Sequence, residues 1–311
     1  MDIITVEAPA KVNLTLDVRY KRGDGYHELE TVMHQIGLID RLTLRRGRSG
    51  EINLSSNHPT LPNNQENLAY QAARLILQEN GQDGVDIYIE KNIPLGAGLA
   101  GGSSDAAAVL WGMNRLFDYQ FDTTQLMQLA ARLGSDVPFC LLGREKGQAG
   151  RPGDALGATA IARGRGELLE EIPGCYLPWV LLVKPDFQIS TAEVYRSLRL
   201  DELEQRPDTA AFLAAWRDCD IMNIAINLVN VLESVSIKQN PEIAAIKVGM
   251  IKYGALKALM AGSGPAVFGI FNEEQKARQA RDEFLNAHNE VFLVSSYGRG
   301  DKSARTKITT G

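Results

Sequence analysis

The sequence predicts an α+β fold in two domains. Three observations carry that expectation: a long N-terminal segment that alternates apolar and polar residues, a strand, glycine loop and helix in direct succession between residues 85 and 116, and a second run of strands and helices after residue 163. A chain of 311 residues with 44% hydrophobic residues can fill two cores. The expected units are residues 1–162, residues 163–298 and a polar tail, residues 299–311, whose composition predicts disorder.

Taken in order, Ile4 to Tyr20 reads as a strand. Val6, Ala8, Ala10, Val12, Leu14, Leu16 and Val18 share one face, and Glu7, Lys11, Asn13 and Asp17 the other. Helix patterns follow at Asn67 to Glu79, Ser103 to Leu116 and Thr123 to Leu133, the last closed by Gly134. Val85-Asp-Ile-Tyr-Ile-Glu alternates as a strand. Residues 143–157 hold five glycines and a proline among charges and predict a mobile surface loop. Beyond it, Trp179 to Val183 reads as a buried strand. Helical stretches at Asp208 to Ala215 and Pro241 to Tyr253 precede a strand pair around Leu256 to Met260 and Val267 to Phe271.

The stretch Pro94-Leu95-Gly96-Ala97-Gly98-Leu99-Ala100-Gly101-Gly102-Ser103-Ser104 places four glycines at a helix start. Backbone N–H groups approach an anion closely where no Cβ intervenes, and the first turn of a helix adds unpaired donors and a positive dipole end. The stretch therefore predicts a phosphate cradle. It is not a P-loop of the Gly-x-x-x-x-Gly-Lys type, since no lysine falls between Asn92 and Ala108. Gly96, Gly98 and Gly101 do match Gly-x-Gly-x-x-Gly. A dinucleotide fold, however, needs a strand ending on an acid about 20 residues on, and Asp118 and Asp122 lie in what reads as a link between helices. A turn capped by Ser103 or Ser104, with no ligand, is the remaining alternative.

Composition narrows the partners. A net charge of −5 offers no long-range attraction to nucleic acid or an anionic membrane, so a small-molecule partner is expected. Three cysteines, Cys140, Cys175 and Cys219, are odd in number and widely spaced, which predicts buried thiols rather than disulfides or zinc. The four histidines have no metal spacing. With no leader-like segment and no apolar run near the roughly 18 residues of a membrane span, a cytoplasmic protein is expected.

Six segments in collinear order, from about residue 5 to about residue 297, together resemble the GHMP kinase superfamily. They are Ala8-Pro-Ala-Lys-Val-Asn-Leu, Asp24-Gly-Tyr-His-Glu-Leu, the glycine loop, Gly134-Ser-Asp-Val-Pro-Phe, Ala162-Arg-Gly-Arg-Gly-Glu and Met260-Ala-Gly-Ser-Gly-Pro-Ala-Val-Phe-Gly. Within the superfamily they look like the branch that phosphorylates an alcohol of a cytidine-diphosphate substrate for isoprenoid precursor synthesis. Homoserine and mevalonate kinases are the sister alternatives, and a non-catalytic nucleotide-binding relative a more distant one. The resemblance implies a ribosomal protein S5 domain 2-like N-terminal domain, a ferredoxin-like α/β C-terminal domain, and ATP with Mg²⁺ as cofactors. No carboxylate pair in the sequence identifies a metal ligand.

The same resemblance implies residue roles. Asp136 matches the family's catalytic base, although local sequence alone favours an N-cap ahead of Pro138. Lys11, on its own readable as a solvated lysine, matches a cation beside that base, and Asn13 a substrate partner. Asn67 and the loop from Pro94 to Ser104 match adenine and phosphate positions. Tyr26 and His27 match the cytosine pocket, where a turn packed on the core is the bland alternative. Phe187 is expected to close that pocket from the second domain, with Ser190 and Thr191 near the substrate diphosphate. Gly262-Ser-Gly-Pro reads either as a hairpin turn or as the substrate side of the cleft. Residues 144–157 look like an insertion of roughly a dozen residues relative to the family, which costs little closure entropy.

Overall fold

A computed structural model of the chain describes residues 2–81, 83–142 and 157–298. The glycine-rich insertion, apart from Gly157, and the polar tail expected to be disordered lie outside the described residues.

Two sheets form the frame. In the first, β1 (Ile3–Lys21) runs antiparallel to β2 (His27–Arg46). β4 (Val85–Glu90) pairs antiparallel with the far half of β2, and β3 (Ile52–Ser56) lies parallel outside β4. The near half of β2, Leu29 to His34, pairs with β5 (Thr159–Gly164), which continues into β6 (Leu168–Ile172). The second sheet has the order β11 (Glu290–Val294), β7 (Trp179–Lys184), β10 (Val267–Phe271), β9 (Lys257–Met260), all antiparallel. The boundary expected near residue 163 falls inside β5. The first sheet continues to Ile172 because β5 extends the edge of β2, and the short β8 (Val229–Asn230) returns to lie parallel to β1.

Helices cover the first sheet on one face: α1 (Leu68–Asn80), α2 (Gly101–Phe117), α3 (Thr123–Leu133) and the short α4 (Val137–Leu141). Their small and branched residues, Ala72, Ile76, Ala106 and Leu110 among them, pack on Leu42, Leu44, Ile87 and Ile89. Beyond β7 come α5 (Thr191–Ser197), α6 (Thr209–Arg217), α7 (Ile221–Ile226), α8 (Glu233–Gln239), α9 (Pro241–Lys252) and α10 (Glu274–Leu285). α9 and α10 pack on the second sheet through Ile243, Ile246, Ala277 and Ala280.

Strand β1 joins these layers. Its Val6 and Ala8 belong to the helix-covered core, Ala10, Val12 and Leu14 to the core between the two sheets, and Leu16 and Val18 to the core of the second domain. Register shifts at Pro9/Ala10, Asn13/Thr15 and Val18/Tyr20 bend the strand through these surroundings. The face carrying Lys11, Asn13 and Asp17 is buried as well, so the solvated-lysine reading of Lys11 fails: the residue is only 4% exposed.

The link after α2 decides against a dinucleotide fold. Asp118 ends α2 in a left-handed conformation, and Asp122 caps α3 in a reciprocal capping box with Gln125, so a helix follows where a strand would be required. Cys140 and Cys175 are buried, as expected. Cys219, two residues past α6 at φ 50°, is exposed because the chain turns outward there.

Candidate active site

A cavity of about 970 Å³ is walled by β1, β2, the glycine loop, the Gly134-Ser-Asp turn, α5 and the turn after β9, and Asn67 and Phe187 are not on its wall. On its floor, Lys11 Nζ donates to Asn13 Oδ1 at 2.7 Å, and Asn13 Nδ2 donates to Thr31 Oγ1 at 2.8 Å. Thr31 in turn donates to the carbonyl of Thr15. This chain fixes the amide orientation of Asn13 and aims the ammonium. Lys11 Nζ stands 3.5 Å from Asp136 Oδ2, with the lysine buried and the aspartate side chain 37% exposed toward the cavity. Asp136 occupies the N-cap position of α4, yet its side chain makes no capping hydrogen bond, so the carboxylate remains available to the cavity.

The glycine loop forms one wall. Ala100, in a left-handed conformation at φ 57°, is the N-cap of α2, and Gly98, Ala100 and Ser103 line the cavity. Gly98 has φ +80°, and a Cβ there would lie 2.1 Å from the carbonyl oxygen of Ala261. Only glycine lets this loop seat against the Ala261–Ala266 turn, which pairs with it through the Ala266 N–H and the Ala97 carbonyl. The second glycine motif is thus both a hairpin turn and a cavity wall, since Gly262 and Ser263 line the site. Leu99 is buried, but its carbonyl accepts from the Lys11 N–H at 3.1 Å, tying the loop to the strand that carries the lysine. Pro94, Leu95, Gly96, Ala97, Gly101, Gly102 and Ser104 shape the loop without lining the cavity. Ser104 Oγ is buried and has no hydrogen-bond partner among the described residues. The first turn of α2, with its unpaired N–H groups and the hydroxyl of Ser103 on the cavity wall, fits a bound phosphate with its cation.

At the other end, His27 lies 5.3 Å from the ring of Tyr195, tilted by 30°, and Arg165 sits over the ring of Tyr26 at 4.9 Å. Burial, helped by the charge of Lys21, holds the His27 pKa below the usual histidine value, so its ring is neutral near pH 7. Burial and the charge of Asp136 raise Tyr195 above the ordinary tyrosine range, and it stays a phenol. Thr191 lines the cavity and shares a 2.7 Å hydrogen bond with Ser263, bridging α5 to the glycine turn.

Outside the glycine loop, three sequence-predicted residues stand apart from the cavity. Phe187 packs on the second-domain core, and Ser190 caps α5 by accepting from the Glu193 N–H. Asn67 caps α1, accepting from the Ala69 N–H and donating to the Pro62 carbonyl, so most of its amide is committed locally. The aromatic wall expected of Phe187 is instead Tyr195. Its signal was present in the sequence, because Thr191 and Tyr195 are one helical turn apart and share a face.

The family model for the GHMP kinases N terminal domain matches residues 67–144, and that for the GHMP kinases C terminal matches residues 216–290. The 4-diphosphocytidyl-2-C-methyl-D-erythritol kinase of Syntrophomonas wolfei is 57% identical over 295 residues, covering 94% of this chain and 98% of the relative. A crystal structure of 4-(cytidine 5'-diphospho)-2C-methyl-D-erythritol kinase superposes with a TM-score of 0.78 at 36% identity, covering 94% of this chain and 98% of the other. Homoserine kinase from Cytophaga hutchinsonii shares the fold at a TM-score of 0.69 and 19% identity, with 96% and 95% of the two chains covered. On this evidence of shared sequence and fold, the chain belongs to the GHMP kinases, and among them to the family of the 4-diphosphocytidyl-2-C-methyl-D-erythritol kinases.

Proposed function

We propose that the cavity transfers the γ-phosphoryl group of ATP to the 2-hydroxyl of 4-diphosphocytidyl-2-C-methyl-D-erythritol, a step of the non-mevalonate isoprenoid precursor pathway. The observation that carries the reading is the buried Lys11 facing the uncapped carboxylate of Asp136, with a phosphate cradle on one side and an aromatic pocket on the other. Phosphoryl transfer is chiefly positioning and charge balance, and this geometry supplies both. Asp136 accepts the proton of the substrate hydroxyl. Lys11, 3.5 Å from that carboxylate, offsets the charge on the transferring group. Asn13, its amide fixed by Thr31, hydrogen-bonds the substrate alcohol.

The loop from Pro94 to Ser104 holds the nucleotide phosphates by its backbone N–H groups, with Asn67 at the adenine end. Magnesium, bound with ATP, supplies charge neutralisation. Ser103 is the loop hydroxyl on the cavity wall that could meet it, and no group of three or more metal-ligating side chains exists among the described residues. Tyr26, His27 and Tyr195 form the cytosine pocket, and Thr191 stands toward the substrate diphosphate. The chain through Ile172 carries the nucleotide loop and the catalytic pair, and most of the remainder closes the substrate side. Small charged reactants and free cysteines support a cytoplasmic setting. Among the described residues no helix is long and apolar enough to cross a membrane.

A coupled ADP-release assay with 4-diphosphocytidyl-2-C-methyl-D-erythritol, mevalonate and homoserine tests the reading. Turnover of the first alone is expected. Preferential turnover of either other alcohol would overturn the substrate assignment.

A further inference from the structure

The wall of the cavity that carries Tyr195 comes from residues 191–200, of which Thr191, Tyr195, Leu198, Arg199 and Leu200 line the site. One end of this stretch is tied to the glycine turn by the hydrogen bond between Thr191 and Ser263. The other end is held by Arg206, which is not on the cavity wall and which the reaction scheme above does not use. Arg206 Nη1 donates to Asp17 Oδ1 at 2.8 Å and to the Val18 carbonyl at 3.0 Å, both on β1. Its Nη2 donates to the Leu200 carbonyl at 3.4 Å. One planar guanidinium thus spans the strand and the wall.

The acid it grips is deep. The Asp17 side chain has no exposed surface. Its Oδ2 lies 3.1 Å from Arg19 Nη1 in an ion pair whose alignment falls short of a hydrogen bond, so among the described residues the carboxyl group accepts a hydrogen bond from Arg206 alone. An acid buried to this depth is costly unless a cation and a donor meet it, and Arg206 supplies both from 189 residues along the chain. Leu16 and Lys21 of β1 line the cavity while Asp17 does not, so the brace stands behind the wall. The next anchor along the chain acts in the same place. Thr209, at the start of α6, donates to Glu30 Oε1 at 2.8 Å, and Arg19 bridges Glu30 to Asp17.

We propose that Arg206 is a positioning residue for the cytidine substrate: by joining Asp17 on β1 to the backbone of Leu200, it sets the spacing between Tyr195 and the β1–β2 hairpin that carries Tyr26 and His27. The proposal rests on the reading that these three rings hold the cytosine. Val18 and Lys21 pair with Leu29 and His27 across the hairpin, so the strand that Arg206 grips is the one that positions the histidine. Tyr195 faces His27 across the gap at 5.3 Å. A gap widened by about 0.5–1 Å forfeits a quarter to a half of a van der Waals contact, so a base stacked there is sensitive to the brace. Among the described residues the hydrogen-bond partners of Arg206 are all on β1 and at Leu200, none on the glycine loop or the Gly134-Ser-Asp turn. ATP binding and the chemical step are therefore spared when it is lost.

Steady-state kinetics of Arg206→Gln and Arg206→Lys in the full chain, with calorimetric titration of cytidine 5'-diphosphate in the absence of ATP, test the role. Arg206→Gln should raise KM for the cytidine substrate and Kd for cytidine diphosphate by about 3- to 30-fold. Its kcat and its KM for ATP should stay within about twofold of wild type. Arg206→Lys keeps a cation beside Asp17 but gives up the fork that reaches Leu200, and its KM should fall between those of wild type and Arg206→Gln. An unchanged KM and Kd in folded Arg206→Gln, an equal rise in KM for ATP, or a fall in kcat larger than the rise in KM would overturn the proposal and leave the pocket assignment standing. A wild-type protein that binds ATP but neither turns over the cytidine substrate nor binds cytidine diphosphate removes both. Should Arg206→Gln not fold, Arg206→Lys decides alone, and a wild-type KM in that variant overturns the proposal.

Discussion

Acid should loosen the join between the two sheets, and His34 sets the amount. Its Nδ1 lies 2.8 Å from Thr159 Oγ1 on β5 and its Nε2 2.7 Å from Ser296 Oγ beyond β11, while Trp216 of α6 meets the ring edge-on at 5.2 Å. Among the described residues no carboxylate pairs with the ring, and burial pushes the His34 pKa down from 6.5 to about 3. The folded state therefore refuses a proton that the unfolded chain accepts between those values. The stabilisation is complete above pH 6.5 and is lost as pH falls toward 3. At about 1.4 kcal/mol per unit, the whole difference is worth about 5 kcal/mol, and about 2 kcal/mol of it is gone by pH 5. Urea unfolding at pH 7 and pH 5, for wild type and His34→Gln, isolates this contribution because the other titrating groups are common to both. Wild type should lose about 2 kcal/mol more than the variant over that interval. Equal losses in the two proteins would refute the assignment of a neutral, buried His34.

Three further perturbations address the site. Asp136→Asn should leave ATP binding nearly intact and lower kcat by roughly 10²- to 10⁴-fold, nearer the lower end for a loose transition state; a fall under tenfold in steady-state assays of the folded variant would remove Asp136 as the base. Tyr195→Ala should weaken the cytidine substrate by about 5- to 150-fold in kcat/KM, the worth of one base–aromatic stack, with KM for ATP within about twofold; an unchanged kcat/KM would exclude Tyr195 from the pocket. Gly98→Ala puts a Cβ into the Ala261 carbonyl at a left-handed φ, so calorimetry should show ATP affinity reduced at least about tenfold. Wild-type affinity would mean that the loop does not depend on this close approach.

Much of the site could be read from the sequence because its chemistry is local. The loop from Pro94 to Ser104, the Gly134-Ser-Asp turn and the Gly-Tyr-His segment each carry a backbone requirement and a functional group within a few residues. The alternation of β1 placed Lys11 and Asn13 on one face, but alternation does not reveal that this face is covered as well as the apolar one; the second sheet packs on the apolar face, and Asp136 meets Lys11 on the other. Tyr195 has no local motif to mark it and is recognisable only once α5 fixes which residues share the face of Thr191. That the first sheet runs on past residue 163 was hidden for a related reason, since edge pairing of β5 with β2 is a contact across more than a hundred residues. Likewise the hydrogen bonds of Arg206 to Asp17 and Leu200 join separate elements and have no local pattern.

The central claim is that this cavity phosphorylates an alcohol whose cytosine it reads. Measuring kcat/KM for the cytidine substrate and its uridine analogue with the unaltered protein tests it most directly. Exchanging the exocyclic amine for a carbonyl turns a donor into an acceptor and leaves a buried partner in the pocket of Tyr26, His27 and Tyr195 unpaired. The cytidine form should be preferred by at least about 100-fold. Equal phosphorylation of the two would contradict the base pocket and reduce the site to a GHMP kinase cavity without a nucleobase requirement.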